Sequence, residues 1–395
     1  MKILHLLASP HLGGAERMCL MLASEQQARG HSVSVFIFRP GDTCDAIKKE
    51  GINVILPNDS NLDLENRFSL RRVAAEGLRK AVNEAKPDLI HSHVPVTNLI
   101  CSKVLDRSRP PWVATVHGSW KQFGYSPQTV GRPCLKTYFL LRHAIGDFLT
   151  LRTAAGIAVP AQRTKELLVR IGVSGRKIAI IHNGLPPAAE IMTPAIARER
   201  LKLPLDSLVI GGLGYFAPVK GFDLLIRAFA GLERRNLKLL LLIAGGDVLG
   251  HSATRKSLER LTQRLNVADR VHFIGPLDPN EGFLSSLDIF VVSSRSEGMP
   301  LALIQAMQHG LPAVVSSEGG NSEAARNGLE SLVFRSGSVG SLAAALERLI
   351  LDEPMRVAFG RAASARASTY LTHRRCADDY ERLYENIFEE PPPLM

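Results

Sequence analysis

The chain has 395 residues, 45% of them hydrophobic, and a formal net charge of +10. That is enough apolar material for the cores of about two ordinary domains, and it excludes a disordered chain. No run of about 18 apolar residues occurs and the N-terminal apolar run is too short for a signal peptide, so a cytoplasmic protein is expected. Cys19, Cys44, Cys101, Cys134 and Cys376 are scattered without a CxxC pair, which argues against a disulfide framework or a zinc site and predicts buried thiols.

The charge is uneven. Residues 1–186 hold 25 Lys and Arg against 14 Asp and Glu, whereas the rest of the chain is close to neutral. A basic half can face nucleic acid, an anionic membrane or a phosphorylated substrate. Nucleic acid is disfavoured as a partner, because zinc-finger spacing is absent and only 6% of residues are aromatic.

In chain order, short apolar runs alternate with amphipathic stretches. The runs Ile3–Ala8, Val33–Phe38, Asn53–Leu56, Leu89–His93 and Trp112–Val116 predict parallel strands joined by helices. A turn and two prolines at His182-Asn-Gly-Leu-Pro-Pro mark a linker near residues 185–195. The pattern restarts with Leu208–Leu213, Lys238–Ala244, Val271–Ile274, Ile289–Ser293 and Ala313–Ser316. The expected fold class is therefore α/β, with two Rossmann-like doubly wound domains, residues 1–185 and 195–370, facing each other across a cleft. A last helix, 372–388, is expected to pack back on the first domain.

In open parallel sheets, ligands bind at the carboxyl ends of strands, and the candidate residues fall there. Gly13 and Gly14 follow the first strand and open a helix, so a phosphate or sugar could approach the backbone. The third glycine of a dinucleotide fingerprint is missing and the next strand ends at Arg39, which demotes a nicotinamide dehydrogenase. His91 and His93 share a strand face, a spacing that suits a metal, but no third ligand lies nearby in sequence. His117 ends another strand, where an imidazole could meet a sugar hydroxyl. Lys220 follows the first strand of the second half, positioned to neutralise a leaving diphosphate. No Asp-x-Asp pair is present to hold magnesium, so neither metal nor cofactor is expected. Glu297 and Gly298 sit where an apolar strand turns into a helix, with Pro300 predicted at the first helical position and Gly310-Leu-Pro as the stop. Gly131–Thr150 mixes Arg132, Lys136, Arg142 and His143 with aromatic and aliphatic residues, which suits either an interfacial helix or a cover helix of the first domain.

Several stretches, in order along almost the whole chain, resemble the retaining glycosyltransferases of family four, with the two-domain B-type fold. They are GGAER at Gly13–Arg17, Thr115-Val-His117-Gly, HNG at His182–Gly184, PVKGFDLLI at Pro218–Ile226, Leu241–Asp247, DRVHFIG at Asp269–Gly275, SLDIFVVSS at Ser286–Ser294, SEGMPLALIQAMQHGLP, and GGNSE at Gly319–Glu323. The resemblance implies a nucleotide-sugar donor, UDP- or GDP-linked, held by the second domain, and a glycan or lipid-linked acceptor bound by the first, with surface polysaccharide or lipopolysaccharide assembly as setting.

Within that resemblance Lys220 grips the diphosphate, Glu297 touches the donor sugar, and the backbone around Gly298, Met299, Pro300 and Leu301 touches sugar and phosphate. His117 matches the active-site histidine, and Gly13, Gly14 and Asn183 match further substrate contacts. Two positions depart from the pattern: Gln305 replaces the acid that holds the ribose, and Tyr215 replaces the arginine that partners the lysine, which leaves the diphosphate to Lys220, backbone amides and Arg295. These departures leave a second reading, a catalytically weak or inactive sugar-nucleotide binder acting as an assembly partner.

Overall fold

The computed structural model describes residues 1–57, 67–105, 110–118, 133–189, 191–233, 238–247, 252–276 and 282–389. The chain forms two compact units, Met1–Gly118 with Leu141–Pro186 and His373–Met395, and Ser119–Leu140 with Pro187–Thr372. Each is built on one sheet in which all neighbouring strands are parallel.

The first sheet comprises β1 (Lys2–Leu7), β2 (Ser32–Ile37), β3 (Asn53–Ile55), β4 (Leu89–Ser92), β5 (Trp112–Thr115), β6 (Gly156–Val159) and β7 (Ile178–Ile180), in the order β3-β2-β1-β4-β5-β6-β7. The second comprises β8 (Leu208–Leu213), β9 (Leu239–Ala244), β10 (Val271–Ile274), β11 (Ile289–Val292), β12 (Ala313–Ser316) and β13 (Ser331–Phe334), ordered β10-β9-β8-β11-β12-β13. Both are doubly wound, and both reverse direction once, between β1 and β4 and between β8 and β11. At such a reversal the connections leave to opposite faces of the sheet, opening a crevice at the strands' carboxyl ends.

Sequence dictates these strands through burial on both faces. Leu239–Ala244 reads Leu-Leu-Leu-Leu-Ile-Ala and is buried at every position, as a central parallel strand covered by helices on both sides requires. Its neighbours Ile210, Phe229, Val291 and Val314 belong to the same core cluster. β6, β7 and β13 were not among the expected strands. They are three or four residues long, as short as β3, β4 and β5, which were expected, so length does not account for the difference.

Four of the five cysteines are buried, but Cys134 is exposed, against the expectation of buried thiols throughout. It opens a helix, Pro133–Leu151, on which Tyr138, Leu141, Ile145 and Leu149 all face solvent.

The helix His373–Glu389 belongs to the first unit, where it packs on β6 and on the helix Gly14–Ala28. Cys376, Ala377, Tyr380, Leu383, Tyr384 and Ile387 form its buried face. Gly156 makes room for it: a Cβ there would lie 2.7 Å from Ile387 Cδ1 and 3.2 Å from Leu383 Cδ1. Leu383→Ala is expected to destabilise this unit by about 2–5 kcal/mol through the cavity left against β6. Urea unfolding with hydrogen exchange read at β6 checks this, and unchanged protection there would show that the helix lies outside the unit's cooperative core.

Candidate functional site

In the second unit the loops after β8 and β11, the two strands flanking the reversal, bring Lys220 and Glu297 together. Lys220 Nζ donates to Glu297 Oε1 at 2.6 Å, and Ser294 Oγ donates to the same oxygen at 2.6 Å. The two side chains are 16% and 11% exposed. Burial pulls the Lys220 pKa down, but the adjoining Glu297 charge, with Tyr215 and the hydrogen bond to Glu297, outweighs it, and the net shift is upward. Lys220 is therefore an ammonium at neutral pH.

Tyr215 also contacts this lysine. The Lys220 ammonium stands 5.0 Å from the centroid of the Tyr215 ring, within cation–π range. The position read as a missing arginine thus carries a ring that holds the lysine. Arg295 does not add a second free cation. Its guanidinium is bound through both terminal nitrogens to Asp223, at 2.7 Å each, and donates to the Pro218 carbonyl. It braces the Pro218–Lys220 turn from behind, which corrects its reading as part of a diphosphate grip.

Two glycines permit this loop arrangement. Gly221 has φ +68°, and a Cβ there would come within 2.2 Å of the Ser293 carbonyl. Gly319 has φ +60° and would similarly collide with the Glu297 carbonyl at 2.1 Å. Gly298, Met299 and Pro300 form the turn that follows Glu297. The helix starts at Leu301, so Pro300 is its N-cap with ψ 128°, one residue earlier than the first helical position expected. Proline's φ of −72° suits either place, and the extended ψ decides. No side chain caps this N-terminus. Gln305 is half-buried in the helix, which ends with Gly310 at φ +69° and bonds from Gly310 N–H to Met307 and from Leu311 N–H to Ala306.

In the first unit the helix Gly14–Ala28 begins after β1, with Gly13 as N-cap. Its third helical residue, Glu16, is buried, and the place a Gly13 Cβ would take lies 2.8 Å from Glu16 Oε2. Burial raises the Glu16 pKa, while hydrogen bonds from its own and the Gly13 backbone hold it down in part. The expectation of an open approach over both glycines is corrected at Gly13, whose space Glu16 occupies. Gly14 has open space on its Cβ side. Asn183 is buried beyond β7, and Arg375 of the last helix donates to the neighbouring His182 carbonyl.

His117, half-buried after β5, is the outermost of four clustered imidazoles. His93 Nδ1 meets His117 Nε2 at 3.2 Å, His5 Nδ1 meets His93 Nε2 at 2.9 Å, and His5 Nε2 meets Gln26 Oε1 at 2.8 Å. Gln26 Nε2 donates to the Tyr384 hydroxyl, which meets His91 Nδ1 at 2.7 Å, and His91 Nε2 meets Thr115 Oγ1 at 2.7 Å. The Thr115 hydroxyl is 3.0 Å from that of Tyr380. His5, the third imidazole absent from the sequence neighbourhood of His91 and His93, arrives because β1 pairs with β4 and sets His5 beside His91. Its signal was the interruption of an apolar strand by a single polar residue.

These three histidines have ligand atoms within 4.8 Å of one another. The rings stack rather than converge, however, with centroids 4.1–5.1 Å apart and interplanar angles of 28–42°. All six of their nitrogens already have hydrogen-bond partners, so the group is a polar network and not a prepared metal centre.

With the geometry in place, comparison with known proteins fixes the class. Residues 12–189 match the model described as Glycosyltransferase Family 4, and residues 195–366 match that of Glycosyl transferases group 1. Over 98% of this chain and all of the other, the fold matches that of Anabaena Alr3699/HepE, solved in complex with UDP and glucose, with a TM-score of 0.82 and 21% identity. The chain belongs to the family-four-like glycosyltransferases with the two-domain B-type fold.

Among curated relatives it is 29% identical to the D-inositol 3-phosphate glycosyltransferase of Corynebacterium aurimucosum, over 76% of this chain and 72% of that one. It is 32% identical to the lipopolysaccharide core biosynthesis glycosyltransferase LpsD of Rhizobium meliloti, over 49% of this chain and 53% of the relative.

The histidine network has a consequence for acid stability. Burial holds the pKa values of His5 and His117 down to about 4, and burial together with the neighbouring imidazoles holds those of His91 and His93 well below the usual value. Below pH ~6.5 the unfolded chain takes up protons that the folded chain refuses, so stability is full above that pH and falls as pH drops toward 4. Each such histidine contributes about 1.4 kcal/mol per pH unit over this window. Urea midpoints for the first unit should decline steeply from pH 7 to 5; a flat profile would contradict four neutral imidazoles.

Proposed function

We propose that this glycosyltransferase takes a UDP- or GDP-linked sugar and transfers it, with retention and without a metal ion, to a glycan or lipid-linked acceptor. The observation that carries the reading is the Lys220–Glu297 pair at the reversal between β8 and β11. An ammonium has three N–H donors, so Lys220 can keep Glu297 and still reach a phosphate oxygen. Its charge opposes what develops on a departing diphosphate, the main electrostatic demand of glycosyl transfer. Glu297 accepts hydrogen bonds, which suits sugar hydroxyls. The uncapped helix start at Leu301 offers further N–H groups.

Retention follows from attack on the face the leaving group departs from: the bond from sugar to phosphate breaks, the bond to the acceptor oxygen forms, and the acceptor's proton passes to the phosphate oxygen. Alr3699/HepE, solved with UDP and with UDP-glucose, supports a nucleotide-sugar donor, and LpsD supports a role in lipopolysaccharide or surface polysaccharide assembly.

A thermal-shift screen of UDP-, GDP- and ADP-sugars checks donor binding, since a ligand that binds only the folded state raises its stability. One donor should raise the Tm, and Lys220→Ala should abolish most of that shift together with transfer, costing at least tenfold in kcat/KM. Donor binding with no turnover above background would favour the inactive binder that Tyr215 and Gln305 suggest. No shift with any donor would sink both readings.

We also propose that the protein works peripherally on the inner face of an anionic membrane. No described helix is long and apolar enough to cross one. On the helix Pro133–Leu151, however, Tyr138, Leu141, Ile145 and Leu149 are 58%, 61%, 49% and 49% exposed at spacings of three, four and four residues, one face of a helix with Lys136 and Arg142 nearby. Co-sedimentation with phosphatidylglycerol vesicles should weaken in high salt and fall several-fold in Leu141→Glu/Ile145→Glu. Equal binding to neutral vesicles, or none, would overturn it.

A further inference from the structure

The polar network of the first unit carries information as well as stability. Because every link joins a donor to an acceptor, the proton arrangement at one end dictates that at the other. Gln26 is the only member whose two ends differ chemically, its carbonyl toward His5 and its amide nitrogen toward Tyr384. The carbonyl accepts, so His5 Nε2 carries a proton. His5 is neutral, which leaves its Nδ1 bare; His93 must then donate from Nε2 and accept at Nδ1, and His117 must donate from Nε2. On the other branch the Gln26 amide donates to the Tyr384 hydroxyl, whose own proton goes to His91 Nδ1, so His91 donates from Nε2 to Thr115. No link in either branch conflicts with another. Reversing the Gln26 amide would reverse them all.

We propose that Gln26, through His5 and His93, is a positioning residue that fixes His117 in the Nε2–H tautomer and leaves Nδ1 as a bare acceptor. His117 then receives a hydrogen bond from a hydroxyl and offers no N–H to a phosphate. This rests on the reading of His117 as a substrate contact and deepens it: the partner of this imidazole is a sugar or acceptor hydroxyl. The setting favours such a relay because burial keeps the imidazoles neutral, and a neutral imidazole, unlike a charged one, has a definite donor end and acceptor end. His5, His91 and His93 are at most 1% exposed, so water does not compete for the links.

The test is the tautomer of His117, read by 15N NMR of the full chain with labelled histidine and assigned by loss of its signals in His117→Asn. No donor is present, so the result stands apart from the outcome of any transfer assay. In the wild type at pH 7 the Nε2–H tautomer is expected. Gln26→Met removes both ends of the relay's anchor and should turn His117 into a mixture of tautomers. His5→Phe preserves the ring stacking, cuts the link, and should give the same mixture should Gln26→Met fail to fold. In the transfer assay a mixed population should lower kcat about in proportion to the fraction in the wrong tautomer, roughly twofold for an even mixture. An Nδ1–H tautomer in the wild type, or a His117 tautomer indifferent to both Gln26→Met and His5→Phe, would overturn the proposal.

Discussion

The second unit is organised around keeping a lysine charged where water scarcely reaches it. Burial alone disfavours the ammonium and pulls its pKa down. Glu297 at 2.6 Å and the face of the Tyr215 ring outweigh that, and they do so only because the loops after β8 and β11 lie side by side. The strand order supplies that adjacency. Gly221 and Gly319 let the loops approach to distances no side chain would permit, and the bidentate Arg295–Asp223 pair stiffens the turn that bears the lysine. Removing either charge of the central pair would strand the other in a desolvated place, a more serious loss than that of a surface ion pair.

The first unit repeats the strand order and solves the opposite problem. Buried within it are imidazoles kept neutral, His5 on β1 and His91 on β4, central strands that would ordinarily be wholly apolar. Such polar groups are tolerable in a core only when each is satisfied. The donors and acceptors that complete the set, Tyr380 and Tyr384, come from the far end of the chain. The last helix thus contributes both apolar packing on β6 and the closing links of the network, so the two roles stand or fall together.

Sequence periodicity revealed the architecture well, because the longer buried strands are continuous apolar runs bounded by turn residues. It missed β6, β7 and β13, of three or four residues each, although the equally short β3, β4 and β5 were legible. Lys220 and Glu297 could each be singled out from their positions after strands, and the nine stretches resembling family four placed them in one chemistry. Their direct contact was not legible, since it depends on two loops separated by 77 residues. The same limit hid His5 from His91 and His93, and it made Arg295 look available when Asp223 already holds it. Tyr215 shows a different limit. Read as the absence of a guanidinium, it counted against activity, whereas the ring takes up part of the work of orienting the lysine.

That exchange has an electrostatic consequence for the proposed reaction. Tyr215 orients Lys220 but adds no charge, and Glu297 cancels the charge Lys220 brings, so the free pair is neutral overall. Arg295 is likewise neutralised by Asp223. Among these described groups around Lys220, a diphosphate meets no standing excess of positive charge. It must draw on the ammonium's unused donors and on the N–H groups at the Leu301 helix start, worth about half a unit charge. Ground-state attraction is then modest, while the interaction strengthens as the bond to the sugar breaks and negative charge accumulates on the departing oxygen. Interactions that grow toward the transition state are the ones that accelerate the chemical step, so a site poor in fixed positive charge is compatible with turnover even where it holds the free nucleotide weakly.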